Sequence, residues 1–229
     1  MARDLDKPAD DRSMSNRKLA INLAGCTGAV LVVMVILSFA TGATQEAHEH
    51  YDLPEAYAIS LLEHANALRV VFALDIAFLA LYTGFFAAFT RYLGERGRPF
   101  VKLALGLMVA TALLDVLEDH HITTMLDAAE RGVLPTNSAI ADQVLLSSTK
   151  FSVSYVSLFF FGLAVPRDTK LGLVLSLFLT GGTLLSAVIG YSLPPESAHS
   201  FDNGRWVGFL IGFVLAIAWL LKAPEPKEA

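Results

Sequence analysis

Six runs of about 20 mostly apolar residues dominate this sequence of 229 residues. An α-helix rises 1.5 Å per residue, so a run of about 20 residues is long enough to cross the hydrocarbon core of a bilayer. The sequence therefore predicts an all-α fold, a polytopic membrane bundle of six transmembrane helices. The predicted spans cover residues 19–42, 67–91, 100–121, 142–165, 171–192 and 206–221.

The composition agrees with a membrane protein. Hydrophobic residues make up 54% of the chain and charged residues 17%, against about 45–50% and about 25% in soluble domains. The net charge of -5 argues against a nucleic-acid partner, because nucleic-acid binding needs a basic face. Membrane lipids are the expected partners.

The basic residues predict the orientation. Thirteen of the 17 Lys and Arg residues lie in the two tails or in the loops that join spans two to three and four to five, whereas only Arg69, Arg131 and Arg205 lie near the other side. The positive-inside rule then predicts cytoplasmic termini for a multi-pass protein of the plasma (inner) membrane. We expect a transmembrane domain over 19–222, cytoplasmic tails over 1–18 and 223–229, and outer loops over 46–63, 123–141 and 193–204.

All six histidines fall on the predicted outer side. His64 opens the second span, and the third span ends in Glu118, Asp119, His120 and His121. Glu118 and His121 are three residues apart and so are neighbours on a helix, a spacing that carboxylate-bridged metal sites in helical bundles use.

This pattern predicts a metal site with the ligands His64, Glu118, His120 and His121. Imidazole and carboxylate ligands would suit a divalent metal such as zinc, iron or copper. Glu118 and Asp119 are the candidate catalytic residues. The alternatives are that the loop histidines His48, His50 and His199 are simply solvated, that the helix end is only a polar stop, or that the site senses protons without a metal.

A second group of charges is predicted inside the spans. Asp75, Asp115 and Lys150 each lie about six to eight residues from the outer end of a span, at matching depth. An ionised side chain inside a bilayer costs at least about 2.5–3.5 kcal/mol and normally finds a partner. We therefore expect Lys150 to pair with at least one of the two aspartates, either to fix helix register or to serve a functional cavity.

Small residues recur every four positions on the last two spans. Gly208, Gly212 and Ala216 form one such face, and Gly182, Ser186 and Gly190 form the other. Such faces let helices approach closely. They predict tight packing of these spans against each other, or against a second copy or a partner in a membrane complex.

No hydrolase, phosphate-binding or dinucleotide-binding motif occurs in the chain. Two main functions fit the charged residues. One is a metal-dependent enzyme that acts on a lipid or another apolar substrate at the outer site. The other is a proton, ion or small-solute transporter that uses Asp75, Asp115 and Lys150, and a weaker third possibility is an accessory subunit of a membrane complex.

Overall fold

The computed structural model describes residues 9–94, 100–193 and 204–223, with side chains described from Ser15 onward. These residues form helices and contain no strand, which confirms the predicted all-α class. The helices are α1 (Ala9–Thr41), α2 (Pro54–Glu63), α3 (Ala65–Gly94), α4 (Val101–Glu130), α5 (Asn137–Ala164), α6 (Lys170–Leu177), α7 (Thr183–Ser192) and α8 (Arg205–Lys222). A 3₁₀ turn covers Glu46–His48, and a π-helical turn, Phe178–Gly182, joins α6 and α7 into one continuous helix.

Five helices are long and apolar enough to cross a membrane: α1, α3, α5, the joined α6 and α7, and α8. Helix α4 has the same 30-residue length as α3, but Asp115, Glu118 and Asp119 make it too polar to qualify by composition. Apolar side chains cover the outside of the bundle, including Ile36 at 62% exposed and Leu113 at 62% exposed. These features indicate a multi-pass membrane protein, while the sixth span and the orientation stay predictions.

Helix α4 and the five candidate spanning helices pack as a closed ring. Helix α1 contacts α3, α3 contacts α4, and α4 contacts α5. Helix α5 then contacts α6 and α7, α6 contacts α8, and α8 returns to α1. Arg17 stabilises the contact between α1 and α8 by donating hydrogen bonds to the carbonyl oxygens of Leu220 and Leu221 at 2.5 and 2.7 Å.

The two ends of the ring differ. We call the end that carries α2 and the 43–53 loop the α2 end, and the end that carries the first and last described residues the terminal end. At the α2 end the predicted loop 46–63 is corrected, because it contains the 3₁₀ turn and helix α2. Pro54 occupies the first turn of α2, where its missing N–H leaves no bond unmade, and Tyr57, Ala58 and Leu61 are buried.

The predicted loop 123–141 is also corrected, since α4 continues to Glu130 and α5 begins at Asn137. Gly132 ends α4 with a φ of 77°, and Val133 donates to the carbonyl of Ala128 at 3.0 Å, which is a Schellman cap. The Thr136 hydroxyl then accepts from the Ala139 N–H at 3.1 Å and starts α5. The predicted outer loop 193–204 lies mostly outside the described residues, as do the ends of both predicted tails.

Candidate functional site

The ring encloses a central cavity of about 520 Å³. Every spanning helix contributes to its wall, which is mostly apolar and aromatic. At the terminal end α3, α5 and α8 close the bundle with aromatic contacts, such as Phe86 to Phe161 at 4.7 Å and Phe89 to Trp219 at 5.9 Å between ring centroids. The charged residues of the cavity lie toward the α2 end.

Lys150 is the centre of these charges. Its ammonium Nζ lies 2.8 Å from Asp115 Oδ1, pairs with Glu118, and lies 4.0 Å from Glu49 Oε1. The lysine is 4% exposed, and Glu118 is fully buried. Lys150 therefore pairs with a buried aspartate, Asp115, as predicted. Glu118 is a second partner, which the matching depths of the three predicted residues did not include.

Uncharged side chains of α5 satisfy Glu118. Gln143 Nε2 donates to Glu118 Oε1 at 3.1 Å, and the Ser147 hydroxyl donates to the same oxygen. His121 Nδ1 lies 3.0 Å from Gln143 Oε1. Glu118 is thus held by a lysine, an amide and a hydroxyl, and His121 reaches it only through Gln143.

Glu49 connects the loop to the last helix. Its carboxylate pairs with Arg205 at the start of α8, and the Arg205 guanidinium lies 3.5 Å from the ring centroid of Phe151. Both charged side chains are at most 10% exposed. The pair ties the 43–53 loop across the mouth of the cavity to α8.

Three aspartates meet beside the lysine. Asp75 of α3 and Asp115 and Asp119 of α4 each have a carboxylate oxygen within 4.8 Å of the others. Gln45 Nε2 donates to Asp119 Oδ1 at 3.0 Å. The Asp75 and Asp119 carboxyl groups lie within hydrogen-bond reach of each other, a contact that needs a proton on one of them, and neither Oδ2 accepts from any other donor of the described residues.

Together these residues form what we call the charged cluster: Glu49, Asp75, Asp115, Glu118, Asp119, Lys150 and Arg205. It holds five buried acids against two bases. If every acid were ionised, the cluster would carry an excess of three negative charges in a region of low dielectric. Bound protons or a bound cation must supply the missing positive charge.

The loop above the cluster is itself closely packed. His48 is 1% exposed, with its Nε2 3.3 Å from the Ser60 hydroxyl and its backbone carbonyl accepting from Tyr57 at 3.1 Å. Burial lowers the pKa of His48 to about 4, with a smaller contribution from His64. Burial, reinforced by the charge of Glu49, raises the pKa of Glu46, and burial likewise raises the pKa of Tyr57.

The predicted metal ligands are not brought together. Among the described residues, one group of three or more candidate ligands has its ligand atoms within 4.8 Å of one another, and it consists of Asp75, Asp115 and Asp119. His120 is exposed, because it lies two residues, or about 200°, around the helix from buried Glu118. His64 ends α2 with a φ of -118° and lies beside Gly42, and the helix that carries Asp75 begins at the next residue, Ala65. The assignment of His64, Glu118, His120 and His121 as ligands gains no support from this placement, and His199 lies outside the described residues.

The two candidate catalytic residues, Glu118 and Asp119, are both buried in the charged cluster. The acids that face the cavity itself are Asp75 and Asp115, with Glu46 and Glu49 of the loop. A catalytic role for Glu118 or Asp119 stays a prediction.

Sequence reasoning missed Gln143 as a partner of Glu118. A signal for it exists on α5, where polar residues recur at helical spacing on an otherwise apolar span. These residues share one buried face: Gln143, Ser147, Lys150, Ser154 and Ser157. Glu49 and Arg205 carry no such signal, since a loop and a helix start can meet anywhere.

The small residues of the last two spans line the cavity, while Gly212 also lies close to the neighbouring helix, because a Cβ atom added there would be 3.4 Å from Phe178 of the π-helical turn. Gly208 and Gly212 of α8, and Gly182 and Ser186 of the α6–α7 helix, line the cavity. A Cβ atom added at Gly208 would meet nothing within 4 Å. These residues therefore widen the cavity between two helices that contact each other mainly through α6.

A scan against protein-family models, a search of the curated proteins and a search of the solved structures gave no significant match to this chain.

Proposed function

We propose that this membrane protein binds a lipid or another apolar molecule in the central cavity and holds the polar group of that molecule at the charged cluster. The observation that carries the proposal is the cavity itself, which combines an apolar wall with one charged end. Its volume of about 520 Å³ lies in the range of ligand sites, about 300–1,000 Å³. An amphipathic molecule matches both parts of this space.

A second cavity supports entry from the bilayer. It measures about 240 Å³ and shares Leu31, Met34 and Trp206 with the central cavity, and it is also lined by Phe39. The side chain of Phe39 is 78% exposed on the outside of α1 and meets the ring of Trp206 edge to face at 6.0 Å. An apolar ligand that enters past this aromatic pair, between α1 and α8, would reach the charged cluster without crossing water.

The same features disfavour transport through the protein. A transporter with Asp75, Asp115 and Lys150 as its relay would need a polar path from the cluster to the terminal end. Aromatic side chains of α3, α5 and α8 fill that end instead, with Tyr92 against Trp219 at 5.8 Å as a further contact. The surplus of buried acids is the one feature that a proton carrier would share.

A matched pair of glycines tests the proposal. Gly208 faces the cavity and Gly106 faces outward on α4, and neither has an atom within 4 Å of an added Cβ. We expect Gly208→Leu to lose most of the lipid that the parent retains through purification in mild detergent, and Gly106→Leu to retain it. Mass spectrometry of the extracted lipid measures this, and equal retention in both variants would refute the proposal.

The proposed topology has six spans with both termini in the cytoplasm of a cell bounded by a plasma (inner) membrane. A single cysteine placed at position 96 in a Cys26→Ser background tests it, since Cys26 is the only native cysteine. We expect no labelling of intact cells by an impermeant thiol reagent. Labelling from outside would overturn the orientation.

A further inference from the structure

We propose that Asp75, Asp115 and Asp119 bind one hard divalent cation, of the Mg²⁺ or Mn²⁺ class, at the α2 end of the central cavity. This site differs from the ligand set that the sequence predicts, because it contains no histidine. It also stands on its own contacts, whether or not the cavity holds a lipid.

The geometry suits a cation. Asp115 and Asp119 are four residues apart on one face of α4, and Asp75 faces them from α3. Oxygens on opposite sides of a hard cation are separated by about 4–5 Å, since each lies about 2.0–2.6 Å from the ion. The three carboxylate oxygens already lie within 4.8 Å of one another, so only small side-chain movements would complete the coordination.

Buried polar atoms without partners point to the same place. The Tyr82 hydroxyl is buried, makes no hydrogen bond, and lies two helical turns from Asp75 on the same face of α3. Tyr82, Asp75 and Asp115 all line the cavity. A cation would satisfy Asp75 Oδ2 and Asp119 Oδ2, and a water molecule on the cation would give the Tyr82 hydroxyl a partner, since hard cations usually retain water ligands.

Apart from the contact between Asp75 and Asp119, no donor of the described residues reaches these two oxygens. Lys150 pairs with both Asp115 and Glu118 and balances one of their two charges, and Gln45 donates a single neutral hydrogen bond to Asp119. Asp75 has no basic partner among the ion pairs of the described residues. Carboxylates without imidazole or thiolate prefer Mg²⁺, Ca²⁺ or Mn²⁺ to zinc or copper, which gives the class of ion.

Manganese binding tests the site on the full chain. After chelator treatment in detergent, we expect the protein to bind one Mn²⁺ per chain, measured by electron paramagnetic resonance, and Mg²⁺ to displace it. Asp75→Asn and Asp119→Asn should each weaken binding by at least about 100-fold, because changing residues that only orient metal ligands already costs about 10–100-fold. Asp142→Asn, at an exposed position on α5, is the matched control and should bind as the parent does.

Infrared spectroscopy of the unmodified protein keeps the test decisive if a variant fails to fold. Without a metal, we expect a band from protonated carboxylic acids, and we expect Mn²⁺ to reduce its intensity, because the ion supplies two of the three missing positive charges. Absence of equimolar Mn²⁺ binding would overturn the proposal, as would a carboxylic acid band of unchanged intensity when Mn²⁺ is bound. Neither measurement involves a lipid, so loss of the ion site and loss of the lipid site are separate results.

Discussion

Replacing Lys150 by Met would remove the positive charge at the centre of the cluster while keeping a side chain of similar length. Asp115, 2.8 Å from the ammonium, and Glu118 would lose the one basic partner that they have among the described residues, while Glu49 would keep Arg205. Glu118 is fully buried, so water cannot replace the lysine without opening the bundle. We therefore expect the variant to fold with two uncompensated acids.

The size of the effect follows from these contacts. At 2.8 Å and an effective dielectric constant of about 20, the attraction between Lys150 and Asp115 is about 6 kcal/mol before desolvation is subtracted. Breaking a buried pair by removing one partner costs about 3–5 kcal/mol in net stability. For a chain of 229 residues, at about 2–4 °C per kcal/mol, this corresponds to a decrease in Tm of about 6–20 °C.

Thermal unfolding in detergent measures this decrease. Lys102→Met, at an exposed position of α4, is the matched control and should change stability by no more than about 0.5 kcal/mol. Combining Lys150→Met with Asp115→Asn and Glu118→Gln removes all three charges and should restore most of the loss. A single variant as stable as the control, or a triple variant no more stable than the single one, would refute the reasoning.

Two further predictions concern the loop and the last helices. Because burial lowers the pKa of His48 from 6.5 to about 4, the unfolded chain binds a proton between these pH values that the folded chain does not. The free energy of unfolding should therefore fall by about 3 kcal/mol as the pH decreases through this window. Unfolding at several pH values measures this loss, which should disappear in His48→Gln and persist in His120→Gln, a change at an exposed position. Gly172→Ala would place a Cβ atom 2.1 Å from the carbonyl oxygen of Pro166, so we expect thermal unfolding to show a loss of about 1–3 kcal/mol; a Tm equal to that of Gly106→Ala would contradict the close approach.

The depth of each charged residue along its helix could be predicted from the sequence, but the neighbour that its side chain faces could not. Helical rise is constant, so counting residues along two spans correctly placed Lys150 and Asp115 at one level. The choice of Glu118 as the second partner depends on how α4 and α5 are rotated about their axes. Packing of many apolar side chains sets that rotation, and no single residue encodes it.

Turns that divide one apolar run into two helices were equally hard to predict. The run from Pro54 to Gly94 contains two helices because the backbone turns at His64, whose φ of -118° no simple sequence signal marks. The apolar composition of the spans was predictable since it reflects the bilayer, whereas a turn between two helices of one mostly apolar run was not.

Crosslinking from inside the cavity tests the central claim most directly. Benzoylphenylalanine in place of Phe213, which lines the cavity, and in place of Ile211, which is 45% exposed on the same helix, would be irradiated in membranes and the adducts identified by mass spectrometry. If the cavity holds a specific apolar ligand, position 213 should give one class of lipid adduct, and position 211 a mixture that reflects the bulk bilayer. No adduct at position 213, or the same mixture at both positions, would contradict it.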